Sequence, residues 1–126
     1  TNYTYTNGKT EAAFDGTGTE LSKDTSYYNL YRIPKNAFNL TAEVQITKAF
    51  YVSALLHSVD KREEFIYGSS PAILKGYTTI DLYTEYKFNK LTAFIDLRNI
   101  TNKKYFDWLG YNARKFNFMA GINFRL

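Results

Sequence analysis

The chain has 126 residues, of which 44% are hydrophobic, 18% aromatic and 22% charged, and it contains no cysteine. The lack of cysteine excludes disulfide bonds and thiolate metal sites within it, and the formal net charge of +4 comes from cations interleaved with acids, which argues against a nucleic-acid-binding surface. No apolar run approaches the ~18 residues of a membrane-spanning helix, and the opening "TNYTYTNGKT" is not expected to be a signal peptide. That hydropathy test does not detect membrane strands, because their polar and apolar residues alternate.

Alternating segments predict six β-strands, since aromatic residues and threonine suit pleated surfaces. The first is "NYTYT", with a compatible extension through "KTEAAF", and the polar stretch at about 15–32 predicts a loop. "AFNLTAEVQI" and "FYVSALLHSV" predict two strands joined by a short turn at Thr47 and Lys48, and the polar stretch "DKREEFIYGSSPAILKG" follows. The next two strands, about 79–88 and 91–98, flank a turn at Asn89 and Lys90. A polar, aromatic stretch of about 99–114 precedes a last strand, "KFNFMAGINFRL", that is predicted to run to the end of the chain.

Charge is segregated along the last five predicted strands. One set of alternate residues, the apolar face, carries no charge and includes Leu40, Leu56, Ile80, Ile95 and Ile122. The other set, the polar face, holds Glu43, Asp81, Glu85, Lys87, Asp96, Arg98 and Arg125. The connections alternate between long and short, which predicts an antiparallel up-and-down meander with tight turns at one end and long loops at the other.

Two environments are open for the apolar face: membrane lipid, or the interior of a small soluble β-barrel or sandwich that binds a hydrophobic small molecule. The polar face is rich in Thr, Asn, Ser and Tyr, which suits the wall of a wide, water-filled pore. A charge facing lipid at the bilayer midplane costs roughly 2–4 kcal/mol, so an uncharged face favours lipid. Aromatic residues at both ends of the strands predict two interfacial girdles: Phe50, Tyr51, Tyr86, Phe88 and Phe124 at the tight-turn end, and Tyr77, Tyr105, Phe106, Trp108 and Tyr111 at the long-loop end.

The run "RNITNKKYFDWLGYNARKFNFMAGINFRL" resembles the C-terminal end of TonB-dependent outer-membrane receptors. Upstream, "LKGYTTIDLYTEYKF" resembles the third-from-last strand of that family. Thr101 stands where the family has Phe, and the chain ends on Leu126 rather than Phe. The matching positions are Asn99 and Ile100 for the start of the segment, Tyr105 for its tyrosine, Gly110 and Tyr111 for its loop, Arg114 for its arginine, and Arg32 and Pro34 for the upstream Arg-x-Pro.

The resemblance implies that residues 1–126 are the C-terminal segment of a receptor barrel in the outer membrane of a Gram-negative bacterium. Plugged transporters have about 22 strands, so six would be the closing portion of a large transmembrane β-barrel, with two unpaired edges when isolated. The implied function is uptake of a scarce ligand such as an iron-siderophore, haem or cobalamin, without catalysis. The implied partners are outer-membrane lipid, the N-terminal plug and remaining strands of the same receptor, the TonB complex acting through the plug, the barrel-assembly machinery and the small-molecule ligand.

Candidate site residues lie in the long loops and the last strand. Tyr67, Tyr105, Trp108 and Tyr111 are the expected external-loop ligand contacts, with interfacial anchoring as the alternative role for each. Ile122, Phe124 and Leu126 would form the C-terminal signal that the assembly machinery reads. No catalytic, cofactor-binding or metal-binding residue is expected: the single histidine, His57, is interpreted as part of a lumen wall, and the charged residues as ladders between neighbouring strands.

Overall fold

In the computed structural model, the described part of the chain is all-β, with twelve strands and no helix. The described residues are 1–8, 10–14, 17, 20–27, 31–64, 66 and 71–125. Among them there is no helix with the length and hydrophobicity that crossing a membrane requires. The strands are β1 (Asn2–Tyr5), β2 (Thr10–Phe14), β3 (Glu20–Tyr27), β4 (Asn36–Gln45), β5 (Phe50–Val59), β6 (Arg62–Glu64), β7 (Ala72–Leu74), β8 (Tyr77–Phe88), β9 (Leu91–Arg98), β10 (Phe106–Trp108), β11 (Tyr111–Asn112) and β12 (Asn117–Phe124).

Six of these strands form one antiparallel sheet in the order β1-β4-β5-β8-β9-β12. Each lies beside the preceding strand of the same sheet, so the sheet is an up-and-down meander. The prediction of a six-stranded antiparallel meander is confirmed. β1 and β12 are the two edges and do not pair with each other, so the sheet is open and not closed into a barrel.

Short turns join the sheet strands at one end, as predicted. Between β4 and β5, the hydroxyl oxygen of Thr47 accepts hydrogen bonds from the backbone N–H groups of Ala49 (3.2 Å) and Phe50 (3.0 Å). Between β8 and β9, Asn89 has a φ of 53°, a left-handed conformation that asparagine adopts more readily than most residues. The last strand ends at Phe124 rather than at the final residue, and Leu126 lies outside the described residues.

Three small hairpins occupy the long connections, where composition predicted only polar loops. β2 pairs with β3, β6 with β7 and β10 with β11, each in antiparallel fashion. The loop predicted at about 15–32 is therefore wrong over Glu20–Tyr27, and "TEAAF", the described part of "KTEAAF", contributes to the β2–β3 hairpin instead of extending β1. β2 and β3 are rich in Ser and Thr, which favour turns, but the β-branched Thr also suits a strand.

The register of the sheet carries the apolar face across neighbouring strands in continuous rows. Leu40 opposes Leu56, which in turn opposes Ile80. Because a slip of one residue would move every side chain to the other face, this register keeps the two predicted faces separate. Two further rows contain Ala42, Ala54, Leu82, Leu97 and Phe118, and Val44, Val52, Thr84, Ile95 and Ala120.

The apolar face of the sheet is not buried as it would be in a water-soluble protein. On the apolar face, Val44 is 53% exposed and Ile95 is 46% exposed. On the polar face, the side chain of the charged residue Asp96 is only 13% exposed. Among the described residues, the buried hydrophobic side chains are those of Leu74 and Tyr77 at the long-loop end. The apolar face of the sheet is therefore uncovered, and no dry core forms from it.

The aromatic side chains at the ends of the apolar face differ in part from the expected girdles. Tyr86, Phe88 and Phe124 are exposed at the tight-turn end, as expected. At the long-loop end, the exposed aromatic residues of the apolar face are Tyr3, Tyr5, Phe116 and Phe118. The girdle assignment is wrong for Tyr51, Tyr77 and Tyr105, which lie on the polar side: Tyr51 contacts Tyr83, and Tyr105 stacks on Tyr77.

Candidate functional site

The polar face carries a network of charged side chains across β8 and β9. Arg98 donates hydrogen bonds to Asp96 from Nε (3.0 Å) and Nη2 (2.8 Å), and from Nη1 to Asp81 across the strand pair (3.2 Å). Nearby, Lys87 pairs with Glu85 at 3.1 Å, and the Tyr83 hydroxyl donates to the same carboxylate. The Arg98–Asp81 pair joins neighbouring strands, as predicted, whereas the Lys87–Glu85 and Arg98–Asp96 pairs each lie within one strand.

His57 lies on the polar face and bonds to a neighbouring strand. Its Nδ1 is 2.6 Å from Oδ1 of Asn39, the residue directly opposite on β4. The carboxylate of Asp60 instead accepts hydrogen bonds from the side-chain amide of Asn36 (2.9 Å) and the backbone N–H of Lys61 (2.8 Å). Asp60 is therefore occupied away from the imidazole, and His57 serves as a hydrogen-bonding side chain of the sheet.

At the long-loop end, a buried arginine fastens the β10–β11 hairpin to the sheet. The Arg62 side chain is only 5% exposed, and its Nη2 donates to the carbonyl oxygens of Phe106 (2.7 Å) and Asp107 (3.3 Å). The Tyr77 hydroxyl donates to Oδ1 of Asp107 at 2.9 Å, and the Arg62 guanidinium lies 5.5 Å from the Tyr77 ring centroid. A buried guanidinium is stable only when it is paired in this way. The contacts therefore tie the hairpin to the start of β8.

A second arginine holds the same hairpin from another side. The Arg32 guanidinium carbon lies 3.7 Å from the ring centroid of Trp108, and its Nε donates to Oε1 of the buried Glu64 at 2.6 Å. Stacking on an aromatic face and bonding to a carboxylate are both interactions that the planar guanidinium makes well. We call Arg32 and Arg62 the hairpin clamp, because together they fix β10 against β6, β7 and β8.

Two of the expected ligand-contact residues face each other on this hairpin. Trp108 opposes Tyr111, and Gly110 between them has a φ of 83°, which favours glycine. Trp108 is 52% exposed and Tyr111 is 73% exposed, so both rings are accessible. Their role in ligand contact stays a prediction.

The other two expected ligand-contact residues differ in position. Tyr105 is half-buried and stacks on Tyr77, with ring centroids 3.8 Å apart. Burial raises the pKa of the Tyr105 hydroxyl, and the negative charge of Asp107 raises it further. Tyr67 lies outside the described residues. The structure thus places Tyr105 beside the hairpin that carries Trp108 and Tyr111.

Asn99 organises the connection between β9 and β12. It has a φ of 50° and is 4% exposed. Its side-chain amide donates to the carbonyl oxygens of Lys103 (2.8 Å) and Arg114 (3.2 Å), and its Oδ1 accepts from the backbone N–H of Lys103 (2.9 Å). Its own backbone N–H donates to Oδ1 of Asp81 at 2.8 Å. The Asn99 side chain therefore joins the two ends of the long loop, and its backbone N–H ties them to the polar face.

A cavity of about 370 Å³ lies between the polar face and this loop. Its only carboxylate, on Asp81, is already bonded to Arg98 and Asn99, whereas Arg114 makes no ion pair with any described residue. Such a wall can hold a polar or anionic small molecule through guanidinium and amide donors. Across the described residues, no group of three or more His, Asp or Glu side chains converges to hold a metal ion. The cavity is lined by Leu55, His57, Thr79, Asp81, Arg98, Asn99, Tyr105, Arg114 and Asn117.

Of the three residues expected to signal barrel assembly, Ile122 and Phe124 lie on the apolar face of the edge strand, and Leu126 lies outside the described residues. Ile122 is 71% exposed and opposes Ala93, and Phe124 is 60% exposed and opposes Leu91. Both are accessible to a partner that reads the last strand. Their role in assembly stays a prediction.

Sequence reasoning missed the hairpin clamp and its buried partners. The stretch that contains Arg62 and Glu64 was interpreted as a polar connection, yet these two residues are among the most buried in the described chain. The i, i+2 spacing of Arg62 and Glu64 places them on one side of a strand, which was a usable signal. Asp107, the partner of Arg62, is 45 residues away, and Arg32, the partner of Glu64, is 32 residues away, so neither pairing had a local signature.

Comparison with models of protein families gives no match to this chain, and comparison with curated proteins gives no significant match. The structural class therefore rests on the fold itself: an all-β protein with one open, six-stranded antiparallel sheet.

Proposed function

We propose that this chain forms the closing strands of a TonB-dependent outer-membrane receptor, which imports a scarce ligand into a Gram-negative cell. The observation that carries the proposal is the exposure of the apolar face of the sheet: Val44 is 53% exposed, Ile95 is 46% exposed and Ile122 is 71% exposed. In water, exposing a continuous apolar sheet face is unfavourable at about 25 cal/mol per Å². In a bilayer the same face is solvated by hydrocarbon, and the polar face lines an aqueous interior.

The lengths of the three longest sheet strands support this environment. β4 and β5 each contain 10 residues, and β8 contains 12. A tilted transmembrane strand needs about 9–11 residues to cross the hydrocarbon core. Short turns at one end and long, hairpin-bearing loops at the other match the periplasmic and external ends of such a barrel. The exposed rings of Tyr3 and Phe118 at one end and of Phe88 and Phe124 at the other suit the two membrane interfaces.

The two open edges of the sheet are where the other strands of the proposed receptor would pair. β1 and β12 each present one unpaired side, and unpaired strand edges invite pairing with further strands. In the proposed receptor those strands complete the wall, and the polar face surrounds the N-terminal plug through which TonB acts. The 370 Å³ cavity and the clamped hairpin with Trp108 and Tyr111 lie at the external end, where they contribute to ligand capture. This segment supplies wall and loops rather than catalysis.

The soluble alternative, a small barrel or sandwich with a hydrophobic ligand, requires the apolar face to turn inward. Leu40 at 38% exposure and Ile122 at 71% exposure do not favour it, because a closed soluble fold would bury both.

Separation of membranes on a density gradient, followed by extraction with concentrated urea, tests the proposal. We expect the protein in the outer-membrane fraction and resistant to extraction. Leu40→Asp, at the centre of β4 on the apolar face, should sharply reduce the inserted fraction, whereas Thr41→Asp, one residue away on the polar face, should not. Recovery of the protein as a monodisperse soluble species without detergent would refute the proposal.

A further inference from the structure

A second cavity, of about 340 Å³, lies at the long-loop end beside the hairpin clamp. Its walls come from the β7–β8 connection and from the segment between Asn99 and the β10–β11 hairpin. It is lined by Ile73, Leu74, Lys75, Gly76, Lys103, Lys104, Tyr105, Phe106 and Leu109. The cavity therefore combines an apolar surface with three lysines, and no acidic side chain lines it.

The three lysines differ from the arginines around them in having no ionic partner. Arg32, Arg62 and Arg98 each pair with a carboxylate. Within the described part of the chain, none of the three cavity lysines forms an ion pair. Three unneutralised cations at one cavity repel one another, and an anion bound among them removes that repulsion.

The apolar part of the cavity is open to its surroundings. Ile73 is 63% exposed, Phe106 is 41% exposed and Leu109 is 40% exposed. Exposed apolar side chains beside a cationic cluster match an amphiphile that has an anionic head and a hydrocarbon chain. A free inorganic anion would use only the lysines and would leave these side chains without a role.

The cavity is backed by rigid structure. Leu74 is 3% exposed, and the stacked rings of Tyr77 and Tyr105 lie beside it. A Cβ added at Gly76 would lie 2.8 Å from the carbonyl oxygen of Val59, so glycine allows the backbone to pack closely here. The backbone of Lys103 is held at both its N–H and its carbonyl by Asn99. Lys103 therefore extends from a fixed backbone position, and Lys75 is adjacent to the closely packed Gly76.

We propose that this cavity binds the phosphate head group of an anionic lipid through Lys75, Lys103 and Lys104, with the acyl chain lying against Ile73, Phe106 and Leu109. The inference rests on the proposed function, which places the long-loop end at the membrane interface where lipid phosphates lie. A bound lipid would anchor the loop end of the sheet and neutralise the lysine cluster.

Titration of the whole chain, purified in a non-ionic detergent, with phosphatidylglycerol, phosphatidylcholine and inorganic phosphate tests the site, with binding read by native mass spectrometry. Replacing Lys75, Lys103 and Lys104 together with Gln should weaken phosphatidylglycerol binding by about fivefold per lysine, on the order of 100-fold in total. The matched control replaces Lys48, Lys90 and Lys115, which lie outside this cavity, with Gln and removes the same charge. It should change binding by less than about threefold, because surface cations elsewhere act only weakly.

Three outcomes would overturn the lipid site: equal loss of affinity in the two triple variants, equal affinity for the two lipids, or inorganic phosphate that binds as tightly as phosphatidylglycerol. A spin label at Leu40→Cys, measured in vesicles of the same lipids, tests the proposed function separately. If that label collides with oxygen dissolved in lipid but phosphatidylglycerol is not selected, only the lipid site is wrong. If the label is exposed to water, the membrane proposal itself fails.

Discussion

An arginine at the centre of the apolar face should strongly destabilise the protein in lipid. Leu40 is the fifth of the ten residues of β4 and opposes Leu56 in the first apolar row. Because Leu40 lies at the centre of the strand, an arginine in its place should lower the free energy of unfolding by roughly 2–4 kcal/mol, the cost of an arginine that faces lipid at the bilayer midplane. Leu40→Arg should therefore shift the folding equilibrium in vesicles by about 30-fold to nearly 1,000-fold. Urea unfolding monitored by fluorescence of Trp108, the single tryptophan, measures this shift on the complete protein.

Thr41→Arg is the matched control, because Thr41 is the next residue on the same strand, is also exposed, and lies on the polar face. An arginine there should change stability by about 0.5 kcal/mol or less, as at most exposed positions. The physical reasoning predicts a large difference between adjacent positions that differ only in the face they occupy. Equal unfolding midpoints for the two variants would refute the assignment of the apolar face to lipid.

Three further predictions concern the loop end. Arg62→Met should lower the free energy of unfolding by about 1–3 kcal/mol and speed hydrogen exchange of the 106–111 amides, because the hairpin loses its buried hydrogen-bond donor. The control Arg125→Met should change neither the stability nor the exchange rate. Asn99→Ala should lower the free energy of unfolding by about 2–4 kcal/mol, because the side-chain hydrogen bonds are lost, and should speed exchange of the Lys103 amide. Unchanged exchange of that amide would contradict the role given to Asn99. Hydrogen bonds from the Asn36 amide and then from the Lys61 N–H hold the pKa of Asp60 below its ordinary value of 3.8. The ionised carboxylate therefore stabilises the folded state fully above pH 3.8, and this stabilisation is lost as the pH falls through the lower folded-state pKa. Unfolding midpoints measured across acidic pH should depend less on pH in Asn36→Leu, and an unaltered dependence would contradict this assignment.

The strands of the main sheet were predictable because their signal is local. Alternation along "AFNLTAEVQI" and "FYVSALLHSV", with the short turn at Thr47 and Lys48, specifies a hairpin whose observed register pairs Leu40 with Leu56. The same holds for β8 and β9 around Asn89 and Lys90. β3 was missed because its polar residues carry no apolar alternation, so the strand had no hydrophobic signal to detect.

The candidate site was only partly predictable, because its contacts join distant segments. Tyr105, Trp108 and Tyr111 were identified from composition, but the arginines that hold their hairpin were not. Arg62 and Glu64 occur in a charged stretch, and such residues are usually exposed. Their burial depends on the approach of β10 from more than 40 residues away, which no local pattern encodes. Tyr105 was assigned to a lipid interface for the same reason, because its stacking on Tyr77 is a tertiary contact. Tyr77 itself alternates with Thr79 and Asp81, and that local pattern places it on the polar face.

The most direct test of the central claim is the accessibility of single spin labels along β4 in lipid vesicles. The chain has no cysteine, so each of the residues from 41 to 45 can be replaced by a single labelled cysteine without background. We predict that labels at Ala42 and Val44 collide mainly with oxygen dissolved in lipid. Labels at Thr41, Glu43 and Gln45 should collide more with a water-soluble nickel chelate, giving a period of two residues. Nickel accessibility at Ala42 and Val44 equal to that at their neighbours would contradict the claim that the apolar face lies against hydrocarbon.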